Sequence, residues 1–330
     1  MEADRSAPRV GILALLGVFG ILLAVFVGEA GLRLAGFRFE TFPAVQFGWP
    51  EPAEIQNVYT PDRELFWVTR DYAAKLAAAR VAAPAVVFLG DSCTEFGSWP
   101  ERTLQELRAA QSPLGSGVKL AVGGWSSEQG LRQLRRDVLP LHPRVAVIYF
   151  GWNDHWLAFG APDADVHAGA IAFWLTQHSR LMQLVVKSRL GAATALSDER
   201  AVRVPRDRYR ANLEAMARLA RDAGIRPVFV TAPSSHQPGR EPPYLARRHL
   251  RELADLVPVH ASYVAATREA AAATGAGLCD AAAELASRPE SIAPYFRSDG
   301  IHFTEQGSEA LAAVLTQCLL ADSAAPRSGP

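Results

Sequence analysis

The sequence predicts an α/β protein built on a parallel sheet. Three observations lead there. Residues 86–89 (Val-Val-Phe-Leu), 118–122 and 145–150 are short, largely apolar runs, the composition of strands buried on both faces. Each run ends in small or polar residues: Gly90-Asp91-Ser92, Gly123-Gly124-Trp125-Ser126 and Gly151-Trp152-Asn153-Asp154. Helical patterns over 101–110 and 127–139 separate the runs, and strand-helix-strand spacing of this kind makes βαβ units. The strands of such a sheet run the same way. Ser92, Gly124 and Asn153 therefore all fall at carboxyl ends, the edge where open α/β sheets place their sites.

Taken in order, residues 1–9 form a polar head with Arg5 and Arg9. Residues 10–27 are apolar, without a charge or a proline. As a helix they span about 27 Å, close to the ~30 Å hydrocarbon core of a bilayer. The run exceeds the ~7–15 residues of a cleavable signal core. We therefore expect a transmembrane signal-anchor, with a cleaved signal near Gly28-Glu29-Ala30 and a buried core helix as the rival readings. Arg33 and Arg38 behind the span nearly balance Arg5 and Arg9 before it. The short head and the large following domain then decide the orientation: N-terminus cytoplasmic, domain extracytoplasmic (periplasmic or at the cell surface), or secreted if the segment is cleaved.

Residues 28–83 read as a connecting segment, irregular and rich in aromatics and prolines over 37–69, closing in an alanine-rich helix over 71–83. Residues 84–321 form the main domain. Its later strands are expected at 227–231 and 277–279. Its later helices fall at 205–222, at 244–274 with an interruption near Pro258, and at 305–320. Residues 155–204 break the alternation. They read as an insertion with an amphipathic helix over 168–189, a lid or a substrate-shaping subdomain. Residues 322–330 are small and polar, a disordered tail.

Composition narrows the functional classes. Lys+Arg and Asp+Glu are both 34, and no basic block stands out, so no nucleic-acid partner is expected. Cys93, Cys279 and Cys318 are far apart, with neither metal-ligand spacing nor a disulfide framework, and read as buried inert thiols. No metal and no cofactor are expected, and no glycine-rich phosphate loop follows the first strand.

Ser92 alone is ambiguous, because Gly-Asp-Ser after a strand is often only a turn. The case grows at the other end of the chain, where Asp299-Gly300-Ile301-His302 precedes the last helix. A nucleophilic serine needs a base within hydrogen-bond reach, and the base needs an orienting carboxylate. Side chains three residues apart on a turn can meet. Acyl transfer also needs donors for a developing oxyanion, and the Ser92 N–H, the Gly124 N–H and the Asn153 amide stand at strand ends. Taken singly, Gly124 is as well a turn glycine and Asn153 a cap. Asp91 and Asp154 read as turn-stabilising acceptors. Trp125, Trp152, His155 and His236 are candidate substrate-binding residues at the mouth, with core packing or polar surface as the plainer readings.

The order serine, glycine, asparagine, then Asp-x-x-His resembles the SGNH hydrolases, or GDSL esterase/lipase family, in a membrane-anchored bacterial form. Gly90-Asp91-Ser92 with Thr94 and Gly97 is similar to that family's first block, Gly124 to the second, Gly151-x-Asn153-Asp154 to the third and Asp299-x-x-His302 to the fifth. Cys93 stands where leucine is common, and the 155–204 insertion departs from the minimal pattern. The resemblance implies a three-layer α/β/α sandwich with a flavodoxin-like sheet of about five strands. It also implies Ser92 as nucleophile, His302 as base and then acid, Asp299 as its orienter, and Ser92, Gly124 and Asn153 as the oxyanion hole.

The expected activity is hydrolysis of an O-acyl ester, acetyl or short-chain, through an acyl-enzyme. Alternatives are an O-acyltransferase modifying an envelope polysaccharide, a lipase or lysophospholipase, and, from another class, a non-catalytic scaffold. Substrates would be a small acyl ester, an acylated carbohydrate or a lipid. The sequence leaves the oligomeric state open.

Overall fold

A computed structural model describes residues 7–39, 58–158, 161–166, 169–196, 201–247, 249–288 and 291–324. Most of the polar head, residues 40–57 of the connecting segment and the end of the tail lie outside the described residues. The chain begins with α1 (Ala7–Leu34), whose span Gly11–Leu34 reaches a mean hydropathy of 2.7 in a stretch that is wholly unburied.

Where the sequence reads as irregular, the chain forms a hairpin: β1 (Tyr59–Asp62) pairs antiparallel with β2 (Phe66–Thr69). The Asp62 carboxylate caps the turn by accepting from the N–H groups of Glu64 and Leu65, at 2.9 and 2.8 Å. Strands of four residues are too short to show a period. What holds them is burial of Leu65, Phe66, Trp67 and Val68 against the main core.

The α/β alternation follows: α2 (Tyr72–Ala82), β3 (Val86–Gly90), the single turn α3 (Ser92–Glu95), α4 (Trp99–Ala109), β4 (Gly117–Lys119), α5 (Ser127–Gln133) and β5 (Val145–Tyr149). Helix α5 starts on a capping box in which Ser126 and Gln129 satisfy each other's first-turn backbone, so the cap is Ser126, with Ser127 already helical. The amphipathic pattern of the insertion forms two helices, α6 (Ala170–His178) and α7 (Arg180–Leu196), broken at Ser179. Then come α8 (Arg206–Asp222), β6 (Arg226–Val230), α9 (Leu256–Thr274), β7 (Gly277–Cys279), α10 (Ala281–Ala286) and α11 (Glu305–Ala324). Pro258 falls in the first turn of α9, where a missing N–H costs nothing.

The main sheet has five strands in the order β4-β3-β5-β6-β7, all neighbours parallel. Alternation along β3 divides the core. Val87 and Leu89 face the layer of α5, α8, α9 and the hairpin. Val86 and Phe88 face the layer of α4, α10 and α11. This is the three-layer α/β/α sandwich with flavodoxin-like strand order. Because β4 lies on one side of β3 and β5 on the other, the chain leaves the two central strands in opposite directions. Their carboxyl ends bound the crevice that holds Ser92 and Asn153.

Candidate active site

Ser92 is the first residue of α3, and Asp91 caps that turn by accepting from the Cys93 N–H at 2.9 Å. The buried Cys93 thiol donates to the Ile301 carbonyl at 3.6 Å, which ties the Ser92 turn to the loop before α11. In that loop Asp299 and His302 meet as their spacing allows: His302 Nδ1 lies 2.7 Å from Asp299 Oδ2, and His302 Nε2 lies 2.8 Å from Ser92 Oγ. Burial alone would raise the Asp299 carboxyl. The His302 imidazole and the N–H groups of Ile301 and His302 outweigh it and hold Asp299 below the usual carboxylate range. An ionised Asp299 can only accept, so the Nδ1–H of His302 donates to it and Nε2 is left as the acceptor for the Ser92 hydroxyl. All three residues are half-buried, within reach of solvent.

The turn carrying Gly124 is held from four sides. The Glu95 carboxylate accepts the Gly123 N–H. Trp67 Nε1 donates to the Gly123 carbonyl at 3.0 Å, Arg203 Nη1 to the Gly124 carbonyl at 2.7 Å, and Asn153 Nδ2 to the Trp125 carbonyl at 3.1 Å. In a trans peptide the C=O and the following N–H point opposite ways. The Trp67 bond therefore turns the Gly124 N–H away from the core. Gly124 takes φ +76°, which a side chain would resist. The Gly124 and Ser92 N–H groups have no partner among the described residues, and they stand at the same sheet edge as the Asn153 amide.

Residues 88–310, well over half of the chain, match the GDSL-like lipase/acylhydrolase family. The chain belongs to that family. It is accordingly an ester hydrolase of the SGNH/GDSL type. Solved structures similar to it include a lipase/acylhydrolase from Enterococcus faecalis, 18% identical, covering 74% of this chain and 100% of that one with a TM-score of 0.49. An acetylxylan esterase from Geobacillus stearothermophilus is 16% identical, covering 71% and 93%, with a TM-score of 0.47. No curated protein matches the sequence.

The structure corrects the substrate-binding candidates of this GDSL hydrolase. Trp125 and Trp152 are fully buried: Trp125 Nε1 donates to the Trp67 carbonyl, and Trp152 stacks on His260 at 3.7 Å. Each neighbours a donor in sequence, but its side chain turns into the core. His155 is buried too, against His260 at 3.2 Å, and burial lowers both imidazoles, His260 to about 4. His236 is half-buried and hydrogen-bonded to the Asp299 loop. Its Nε2 lies 2.8 Å from the Asp299 carbonyl and its Nδ1 2.9 Å from Ser234 Oγ, the pattern of a ring that donates to the carbonyl and accepts from the hydroxyl. Gly300 fits beside it, since a Cβ there would lie 2.6 Å from His236 Nε2.

Four residues that sequence reasoning missed complete the site: Trp67 and Arg203 behind the Gly124 turn, and two exposed aromatics. The Phe96 ring lies 6.0 Å from His302. The Tyr244 phenol, about half exposed, is raised first by its partial burial and then by the Asp299 charge.

Asp154 accepts the Ser127 N–H at 2.9 Å through Oδ1, while its buried Oδ2 has no partner among the described residues. Burial pushes the carboxyl up to about 7. The folded state thus keeps this proton up to about pH 7, the unfolded chain only below about pH 4. Stability from this group is lost as pH rises through that window. Asp154→Asn should gain on the wild type, by on the order of a few kcal/mol, between about pH 5 and about pH 8 in urea unfolding. The buried histidines carry the opposite dependence but remain in both proteins. Parallel stability profiles would contradict the assignment.

Proposed function

We propose that this enzyme cleaves an O-acyl ester, acetyl or another short acyl group, through an acyl-enzyme on Ser92, while α1 anchors it in a membrane with the domain outside the cytoplasm. The observation that carries the reading is the hydrogen-bonded series Asp299–His302–Ser92 at the sheet edge where the Ser92 and Gly124 N–H groups have no partner among the described residues. Ser92 Oγ attacks the carbonyl carbon as His302 Nε2 takes its proton. The oxyanion is received by the N–H groups of Ser92 and Gly124 and by the Asn153 amide. His302 then returns the proton to the leaving alkoxide, and water, deprotonated by the same nitrogen, releases the acid. The exposed ring of Phe96, 6.0 Å from the His302 ring, supports an acylated carbohydrate as the leaving group.

A fluorophosphonate probe tests the core of this reading on the full-length protein. Its mass should appear on the Ser92 peptide and vanish in Ser92→Ala. A folded wild type that stays unlabelled, or a label carried elsewhere, would overturn it. Asn153→Ala should lower kcat about 10²–10³-fold with little change in KM, as loss of one oxyanion donor does. Steady-state kinetics on an activated acetate ester reads this, and an unchanged kcat would remove Asn153 from the hole.

A further inference from the structure

The helical hairpin of the insertion is clamped to the end of α1. The first N–H groups of α7, those of Arg180 and Leu181, have no partner within their own helix and donate to the Glu29 carboxylate, each at 3.0 Å. Ser179 Oγ donates to the same carboxylate at 3.0 Å, and Arg33 reaches the His178 carbonyl. Gly28 sits against Leu181, where a Cβ would come within 3.3 Å of its methyl group. Glu29 lies about 3 Å of helix rise beyond the end of the apolar run at Val27. If α1 spans a bilayer, this junction lies at the edge of the hydrocarbon.

The hairpin has the chemistry of that depth. Helix α6 has no buried residue and exposes Ile171 (77%) and Trp174 (57%). Helix α7 exposes Val185 (44%). Residues 169–196 hold Arg180, Lys187 and Arg189 and no acidic residue, in a chain whose charges balance overall. A nine-residue apolar helix with no fully buried residue is marginal in water. An exposed tryptophan with basic residues in the following helix suits a hairpin lying in a membrane interface.

We infer that the α6–α7 hairpin lies on the surface of the bilayer that α1 spans, with Ile171 and Trp174 at the headgroup–acyl boundary and Arg180, Lys187 and Arg189 on anionic lipid phosphates. This rests on the reading of α1 as a retained anchor. The insertion returns to the active site at both ends. Leu157 bridges Val202, and the Arg203 N–H donates to the Trp156 carbonyl at 2.8 Å. A hairpin laid on lipid therefore sets the height of the Gly124 turn above the membrane.

The test uses the full-length chain with Cys318→Ser, the other two cysteines being buried. Val18→Cys, Ile171→Cys or Trp174→Cys carries an environment-sensitive fluorophore. The host is a phosphatidylcholine/phosphatidylglycerol bilayer with nitroxides either near the headgroup or deep in the acyl chain. The inference expects deep quenching at 18 and shallow quenching, about twofold or more, at 171 and 174. Replacing phosphatidylglycerol with phosphatidylcholine should weaken the effect at 171 and 174 alone. Quenching at 18 with none at 171 and 174 overturns the docking and leaves the anchor standing. No quenching at 18 removes the anchor, and the docking with it. Equal quenching in both lipids overturns the phosphate contacts.

Discussion

Replacing Ser92 with alanine should abolish ester turnover and leave the melting transition where it was. The two outcomes belong together because Ser92 is half-buried and its Oγ hydrogen-bonds His302 Nε2 at 2.8 Å, so its removal costs chemistry and little packing. The expected loss in kcat is about 10⁴–10⁶-fold, the scale set by enzymes in which serine, histidine and carboxylate act as a unit. His302→Ala should fall as far, and the double variant no further, because either change alone already stops proton transfer. Asp299→Asn should retain the loop, since its Oδ1 still accepts from Ile301 and His302, and should lose about 10⁴-fold by no longer fixing the imidazole tautomer. Stopped assays on an activated acetate ester, beside thermal melts, read all four proteins. Wild-type turnover in Ser92→Ala would sink the assignment, and additive losses in the double variant would separate Ser92 from His302.

That prediction was available from the sequence because its residues sit where local rules speak. A parallel strand buried on both faces leaves a continuous apolar run, so Val86 to Leu89 announced the strand and Ser92 its carboxyl end. Asp299 and His302 are three residues apart and needed only a turn to meet. The direction of a side chain is a different matter. Trp125 and Trp152 stand next to donor backbone, and nothing local tells an indole lining a mouth from one turned inward; the core decided, through the Trp67 carbonyl and the His260 ring. The hairpin carrying Trp67 has strands of four residues and one proline, too little for a period, and it exists because the core accepts its aromatic face. The break between α6 and α7 has the same kind of cause. Glu29, some 150 residues earlier, caps α7, and a window centred on Ser179 contains no trace of it.

Arg203 is the residue for which distance in sequence hid most, and its removal should have the largest effect on stability. It is 2% exposed and paired at 2.7 Å with Asp163, which is 0% exposed, and its remaining arm holds the Gly124 carbonyl, 79 residues away. Arg203→Met strands a buried carboxylate and should cost roughly 3–5 kcal/mol in urea unfolding. It should also lower kcat by on the order of 10²-fold, because the Gly124 turn loses a bond on the side opposite the substrate and a misplacement of about 1 Å is worth that much. A structural role alone predicts that stability and kcat recover together. The double variant Arg203→Met/Asp163→Leu separates the two. Replacing a buried ion pair by apolar residues of similar volume is often neutral, so stability should return to near wild type. The Gly124 carbonyl stays without its donor, so kcat should remain low with KM little changed. If kcat recovers with stability, the Trp67, Glu95 and Asn153 bonds suffice to hold the turn, and Arg203 is a structural residue that happens to end beside the oxyanion donor.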